Sequence, residues 1–326
     1  MIATADGSLH VYMLNVGQAD TTIVVTPNGT LILIDAVSPD KVIQFLTDLG
    51  IDGTIEHLII THPHDDHFSG CNKLAQVYKI EEATVSPIWH DFGMGPPTYR
   101  SLMVRLVDQG ANINFLSGYS RWYPENALIT PPGEEDPQID PDAPFLELLG
   151  PTNGLVSQLE SAKVFETNHL SIMTRFSWKD FGLICAGDAQ MENWSSFDEE
   201  GLMEGKCQIL RAAHHGSPNG TQWERLERLA PSLVVISSDP ASTHKLPDLS
   251  SAAVFLKFDD EPDQMAAITI DTGTIHVKVD DTGKRLVECF GESPSSSVSL
   301  APATPLDGLS NPTDWAGLLN DRIAGL

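Results

Sequence analysis

The chain has few basic residues and few cysteines for its length. Its 326 residues include 19 lysines and arginines against 45 aspartates and glutamates, which gives a formal net charge of -26. This balance argues against a surface that grips long nucleic acid through general electrostatics. The 4 cysteines lie far apart and form no C-x-x-C pair, so the sequence offers no disulfide framework.

Long apolar runs are also missing. No segment approaches the ~20 apolar residues that a membrane span needs. The opening residues, M-I-A-T-A-D-G, lack the basic and apolar segments of a secretory signal. We therefore expect a cytoplasmic protein that does not contact the membrane. With 41% hydrophobic residues, the chain can still bury one large core or two smaller ones.

What the sequence does contain is a dense cluster of metal-ligand residues. Thr61 to Gly70 reads T-H-P-H-D-D-H-F-S-G and directly follows the apolar run Leu58 to Ile60, which predicts a buried strand. Imidazole nitrogens and carboxylate oxygens at this density are the ligands that a zinc-type cation takes. We favour a metal site over an accidental polar turn. The predicted ligands of two neighbouring metals are, in chain order, His62 and His64, then Asp66 and His67.

The segment H-P-H-D-D-H matches the H-x-H-x-D-H signature of the metallo-β-lactamase superfamily. Three other segments resemble its ComEC-like branch, named after the C-terminal domain of the DNA-uptake protein ComEC. They are V-G-Q-A-D at 16–20, L-x-L-L-G-P at 146–151 and H-H-G-S at 214–217. The resemblance covers roughly residues 9–290, and its motifs occur in the right order.

This resemblance implies an α/β fold, the αββα sandwich of the metallo-β-lactamase type, with two mixed β-sheets flanked by helices and metals at one edge. We assign residues 1–292 to this hydrolase domain. Residues 293–312 are rich in serine, proline and alanine and predict a linker. Residues 313–326 predict a terminal amphipathic helix with Thr313 as its cap. That helix either docks on its own domain or binds a partner protein.

The resemblance also supplies metal ligands from the second half of the chain. Asp188 ends the apolar segment L-I-C-A-G-D-A, and it matches the superfamily's metal-bridging aspartate; it could also cap a helix. His169 replaces a polar residue of the ComEC-like N-x-S segment. It either completes the ligands of the first metal, which we favour, or contacts substrate. Within H-H-G-S we assign His214 to the second metal; His215 then either supports the ligands from behind or faces substrate.

Other polar residues receive supporting roles. Gln18 and Asp20 either brace the metal loops or satisfy turn amides. Trp89 to Asp91 either contacts substrate or packs, and His57, without partners, is interpreted as structural. His244 stands where the family has the histidine of N-x-x-x-H-P. It protonates the leaving group, binds a phosphate oxygen, or is a surface histidine without a functional role. The predicted catalytic side chains are thus Asp66, His215 and His244.

The function implied is that of a metal-dependent hydrolase with two divalent cations, zinc or else manganese, and a bridging hydroxide as the attacking group. H-H-G-S and V-G-Q-A-D favour a phosphodiester as substrate. A lactone, thioester or lactam is the second option, and the missing G-H-T-x-G-S segment counts against it. A metal-binding scaffold that recruits a partner through residues 313–326 is the third. The acidic composition predicts a small or single-stranded phosphodiester rather than long duplex DNA.

Overall fold

Apolar runs broken by turn residues form the strands of this chain, and apolar residues at helical spacing form its helices. The computed structural model describes residues 5–87, 97–124, 127, 139–202, 207–290, 304–305 and 311–325. In chain order the elements are β1 (Leu9–Met13), β2 (Thr22–Val25), β3 (Leu31–Ile34), α1 (Pro39–Asp48), β4 (Thr54–Ile60), α2 (Asp65–Phe68), α3 (Cys71–Val77), β5 (Lys79–Val85), α4 (Pro97–Gln109), β6 (Asn112–Phe115), β7 (Gly118–Trp122), β8 (Phe145–Gly150), α5 (Asn153–Ala162), β9 (Met173–Trp178), β10 (Phe181–Cys185), α6 (Met191–Glu199), β11 (Ile209–Arg211), α7 (Trp223–Leu229), β12 (Leu233–Ile236), α8 (Leu249–Asp259), β13 (Met265–Ile268), α9 (Thr269–Thr272), β14 (Ile275–Val279), β15 (Arg285–Cys289), β16 (Thr304–Pro305) and α10 (Trp315–Ala324).

The described strands form two mixed sheets. The first has the order β16-β15-β14-β1-β2-β3-β4-β5-β6, and the second has the order β13-β12-β11-β10-β9-β8-β7. In the first sheet β1 to β3 pair antiparallel and β3 to β6 pair parallel. In the second, β7 to β10 pair antiparallel and β10 to β13 pair parallel. The predicted α/β fold with two mixed β-sheets flanked by helices is confirmed.

The two sheets face each other across an apolar layer. Val11 and Ile32 from the first sheet and Leu183 and Val235 from the second belong to this buried cluster. Because side chains alternate along a strand, the opposite face of each sheet is covered by helices. Helices α1, α3 and α4 cover the first sheet, and α6, α7, α8 and α10 cover the second.

The loops that leave β4 and β10 meet between the two sheets. The backbone N–H of Ile172, just before β9, donates to the Thr61 carbonyl at 2.9 Å. Gly187 follows β10 with a φ of +52°, and a Cβ at this position would lie 2.9 Å from the Thr61 Cβ. Glycine is therefore needed here, both for the left-handed backbone and for the close approach. This contact joins the predicted metal motif to the segment that carries Asp188.

The terminal helix α10 docks on its own domain. Trp315 is buried, packs against Phe255 of α8 and donates its indole N–H to the Ala266 carbonyl at 2.7 Å. Asp314, one residue after the predicted cap Thr313, caps the helix through its side chain. Within the described ranges no helix is long and apolar enough to cross a membrane. Residues 89–91 and most of 293–312 lie outside those ranges.

His57 provides a test of how this packing depends on pH. Its buried ring packs against Trp122, and its Nε2 lies 2.8 Å from the Thr84 hydroxyl. Burial lowers the pKa of His57 from 6.5 to about 3. The unfolded chain therefore binds a proton below about pH 6.5 that the folded chain does not bind. The stability due to neutral His57 is complete above that pH and is lost as the pH falls toward 3.

We expect the free energy of unfolding to fall between pH 7 and pH 5, and to fall by about 2 kcal/mol less in a His57→Gln variant. Glutamine keeps a polar partner for Thr84 but does not titrate. Urea unfolding of both proteins at the two pH values measures the difference. Equal losses in the variant and the wild type would contradict the effect assigned to His57.

Candidate metal centre

His62 and His64, on the loop after β4, converge on Asp188. The Nε2 atom of His62 lies 3.0 Å from the Nδ1 atom of His64 and 3.7 Å from the Oδ2 atom of Asp188. One ligand atom from each of the three residues lies within 4.8 Å of the others. His62 and Asp188 are buried, and His64 is half-buried. The three residues form the first ligand group.

A second ligand group lies on the other side of Asp188. It consists of Asp66, His67 and His215, whose ligand atoms also lie within 4.8 Å of one another. The Nε2 atom of His215 is 3.4 Å from the Oδ2 atom of Asp66. The Oδ1 atom of Asp188 lies 3.1 Å from the Nε2 atom of His67 and 3.7 Å from that of His215. Asp188 thus presents one carboxylate oxygen to each group, as a bridging ligand would.

The two histidines of H-H-G-S point to different groups. His215, expected behind the ligands or on the substrate side, lies in the second group. The Nε2 atom of His214, expected at the second metal, instead lies 3.7 Å from the Oδ2 atom of Asp188, which faces the first group. Both residues have a φ of +52°, a left-handed conformation that is uncommon outside glycine and that concentrates at functional sites. The geometry therefore places His215, and not His214, with the second group.

His169 joins neither ligand group. Its Nδ1 accepts the backbone N–H of Glu166 at 2.9 Å, and its Nε2 lies 3.4 Å from the Oε2 atom of Glu192. The ring thus closes the 3-10 turn Thr167–Leu170 and is turned away from the first metal's group, where a ligand role was expected. Its neighbour Asn168 lies closer to the site, with Nδ2 at 3.1 Å from the Nε2 atom of His214.

His244 also lies outside both groups. It is exposed, in the segment between β12 and α8.

Asp35 orients the second group from behind, a role that no sequence motif indicates. The Nδ1 of His67 donates to its Oδ2 at 2.7 Å, and the backbone N–H of Thr61 donates to its Oδ1 at 2.8 Å. This fixes the ring so that Nε2 faces Asp188, as carboxylates behind ligand histidines commonly do. The only available signal was an acidic residue at the end of β3, which is common in any sheet.

Asp20 of V-G-Q-A-D braces the site from the other side. Its Oδ1 pairs with the Nη2 of Arg211 at 2.9 Å and lies 3.5 Å from the Nδ1 of His215. That nitrogen donates to the Ser237 carbonyl at 2.9 Å. His215 is therefore held with its Nε2 toward Asp66, so the bracing role predicted for Asp20 fits the geometry. Gln18 accepts a hydrogen bond from the Ser242 hydroxyl.

The centre contains polar atoms that the described protein residues do not satisfy. The Nε2 atoms of His67 and His215 and the Oδ1 atom of Asp188 are buried without a hydrogen-bond partner among the described residues. His67 and Asp188 approach to 3.1 Å, but the contact lacks the direction of a hydrogen bond. Each buried polar atom left without a partner lowers the free energy of unfolding by about 1–3 kcal/mol. Three of them facing one another fit a cation that pairs with all three.

The charge balance of the centre also fits a cation. Burial opposes charge on His67, yet Asp188 and Asp35 hold its pKa well above the ordinary value. Burial likewise opposes charge on Asp188, but His67 and His215 hold the pKa of that carboxyl well below its usual range. The carboxylates thus create a local field that favours positive charge, and a divalent cation would compete with protons for it.

Comparison with known proteins agrees with this geometry. A family model described as the metallo-beta-lactamase superfamily matches residues 14–237. None of the curated protein sequences compared with the chain matches it significantly.

Two solved structures of CmlA share the fold, and a third structure is reported for comparison. A mutant of CmlA β-hydroxylase has a TM-score of 0.54 at 11% identity, covering 83% of this chain and 54% of that one. CmlA, a diiron β-hydroxylase from Streptomyces venezuelae, has a TM-score of 0.50 at 12% identity, covering 79% and 52%. Igni18, a metallo hydrolase from Ignicoccus hospitalis, has a TM-score of 0.48 at 13% identity, covering 82% and 98%. The chain spans about half the length of the CmlA structures.

The family model covers more than half of the chain, and its range includes every residue of the two ligand groups. The chain belongs to the metallo-β-lactamase superfamily of metal-dependent hydrolases.

Proposed function

We propose that this protein is a binuclear metal-dependent hydrolase of the ComEC-like branch that cleaves phosphodiesters. The observation that carries the proposal is the position of Asp188, with one oxygen toward each of two ligand groups. Two metals are supported because each group supplies separate side chains and both share this carboxylate. The phosphodiester is supported by V-G-Q-A-D and H-H-G-S, which meet at the site where Asp20 lies 3.5 Å from His215.

The proposed ligands follow the two groups. His62, His64 and Asp188 would hold the first metal, with His214 beside them. Asp66, His67 and His215 would hold the second and would share Asp188 with the first. Nitrogen and carboxylate donors of this kind suit zinc, with manganese as the alternative. CmlA, whose fold the chain shares, is a diiron enzyme, so iron belongs among the metals to be measured.

Two divalent cations bound there would supply a nucleophilic water and neutralise the negative charge that develops at phosphorus. The protein's own residues set the geometry. Asp35 and Asp20 hold the rings of His67 and His215 in place. His244, exposed on the segment between β12 and α8, is the proposed proton donor to the leaving group.

The charges around the centre bear on substrate size. Arg211 is buried, and its guanidinium is engaged by Asp20 and Ser237. It therefore braces the site and does not grip a phosphate backbone. With phosphate recognition left mainly to the metals, the preferred substrate is a small or single-stranded phosphodiester. The alternative of a scaffold recruiting partners through residues 313–326 has less support, because Trp315, Leu318 and Leu319 pack on the domain itself and only Ile323 of the predicted apolar face is exposed.

The substrate class can be tested directly with the metal-loaded protein. We expect hydrolysis of bis(p-nitrophenyl) phosphate and of a short single-stranded oligonucleotide, with long duplex DNA cleaved at least about tenfold more slowly at physiological salt. An Asp188→Asn variant serves as the inactive control. Turnover of a lactone or thioester without phosphodiester cleavage would favour the carboxyl-type alternative. Efficient cleavage of long duplex DNA would contradict the predicted substrate size.

Alanine variants of H-H-G-S test the ligand assignment. His215→Ala removes one of three side chains specific to the second group, so we expect the protein to retain about one metal ion instead of two. His214→Ala should retain more metal, because the first group keeps His62, His64 and Asp188. Elemental analysis after gel filtration measures both, with His169→Ala as a control that retains both metals. If His214→Ala retained less metal than His215→Ala, His214 would again be assigned as the ligand of the second metal.

Asp35→Asn tests the support behind His67. Asparagine keeps the shape but weakens the bond that holds the ring, so we expect metal affinity to fall about 10–100-fold. Titration against a competing chelator measures the affinity. Asp65→Asn, an exposed neighbour within the same motif, is the matched control and should bind as the wild type does. A wild-type affinity for Asp35→Asn would mean that the hydrogen bond does not contribute to binding.

A further inference from the structure

The loop between β12 and α8, residues 237–248, is tied to the metal centre at two points. At its start, Ser237 accepts hydrogen bonds from the ring of His215 and from Arg211 at 2.9 and 2.6 Å. Further along, the Ser242 hydroxyl donates to Gln18 of V-G-Q-A-D. His244 follows two residues later and is exposed. The position of this loop therefore sets where His244 stands relative to the ligand groups.

The end of helix α10 holds the same loop from outside. Arg322 donates from Nε to the Pro247 carbonyl at 3.1 Å and from Nη2 to the Pro240 carbonyl at 3.0 Å. One guanidinium thus spans both ends of the segment that contains Ser242 and His244. The planar fork of arginine can bond two separated carbonyls at once, whereas the ammonium of lysine acts as a point charge.

The guanidinium is delivered by a helix that is fixed in the core. Trp315 is bonded to Ala266 of β13 and lies seven residues before Arg322, which corresponds to two helical turns and about 10 Å of rise. Leu318 and Leu319 pack against the same buried cluster. Because the helix is anchored, the position of Arg322 is set by the packing of the second sheet and its helices.

We propose that Arg322 is a positioning residue and that helix α10 is a strap, which holds loop 237–248 and His244 at the mouth of the metal centre. This gives the terminal helix a role inside its own chain and not as a docking surface. The effect that we expect on KM when Arg322 is replaced rests on the proposed hydrolase function. The structural consequence, a loop that loosens when Arg322 is lost, does not depend on it.

Hydrogen exchange tests the structural consequence. Arg322→Met keeps the apolar stem and removes the fork. Within the loop, the backbone N–H of Ser242 donates to Asp239 at 2.9 Å and that of Lys245 donates to Ser242 at 3.1 Å. We expect exchange of the six amides between Pro240 and Pro247 to become about tenfold faster or more, while exchange in β12 and metal content stay unchanged. Ile323→Ala, at an exposed neighbouring position, is the matched control and should exchange as the wild type does.

Kinetics test the consequence for the site. With bis(p-nitrophenyl) phosphate we expect Arg322→Met to raise KM about tenfold and to change kcat less. The ligand groups are intact, and the leaving group of this substrate is too weakly basic to need a proton from His244. Arg322→Lys should recover only part of the loss. Wild-type exchange in Arg322→Met, or equal loosening in Ile323→Ala, would overturn the strap. If Arg322→Met does not fold, wild-type exchange in Arg322→Lys would overturn it as well.

The two proposals fail in distinguishable ways. Faster exchange in residues 241–246 without turnover of any phosphodiester would leave the strap in place and refute the proposed function. Phosphodiester turnover, together with an unchanged exchange rate of the loop in Arg322→Met, would support the proposed function and refute the strap.

Discussion

The buried carboxylate of Asp188 is the point on which the rest of the centre depends. A charged group taken out of water is costly unless it is paired, and here histidines from both halves of the chain surround it. His62 and His67 come from the loop after β4, and His214 and His215 come from the segment after β11. The turn at Gly187 allows this close approach because a side chain there would collide with Thr61. The two sheets are thereby joined by electrostatics at one edge as well as by the apolar layer between them.

The supporting residues repeat this joining of the two halves. Asp20, in the first sheet's opening loop, pairs with Arg211 at the end of β11, and both side chains are buried. A buried ion pair is weak evidence for stability by itself. Its geometric effect is more specific, because Arg211 also bonds Ser237 and Thr22. The pair therefore fixes how the strand ends of the two sheets lie relative to each other, and with them the ring of His215.

Sequence reasoning was sufficient where the signal is local. The predicted ligands His62, His64, Asp66 and His67 are close in sequence, and a strand that ends before them predicts where they lie. It was insufficient where the direction of a side chain depends on the local backbone conformation. Which of His214 and His215 faces the second group is decided by two consecutive left-handed residues, and no composition signal encodes that choice.

Two further residues show the limits set by tertiary contacts. His169 looked like a ligand because the first group needed one, but the turn that it closes with Glu166 uses its Nδ1 and turns the ring elsewhere. Asp35 has no motif of its own. Its role appears only when β3 and β4 lie side by side, which places its carboxylate 2.7 Å from His67. The terminal helix was predicted from its apolar periodicity. Its docking on the domain depends on a buried hydrogen-bond acceptor for the Trp315 indole, which only the tertiary structure supplies.

The positions of the ligand groups and of the strap along the chain suggest a division of roles. Every member of the two ligand groups lies within residues 14–237, the range that matches the superfamily model. Loop 237–248 begins where that range ends, and helix α10 lies wholly beyond it. The chemistry that the superfamily shares is therefore encoded in one continuous stretch. The proposed strap, helix α10 with Arg322, lies outside that stretch. Because function resides in sites added to a shared fold, a strap that holds the loop of His244 is a place where this chain can set selectivity without a change in its ligand groups.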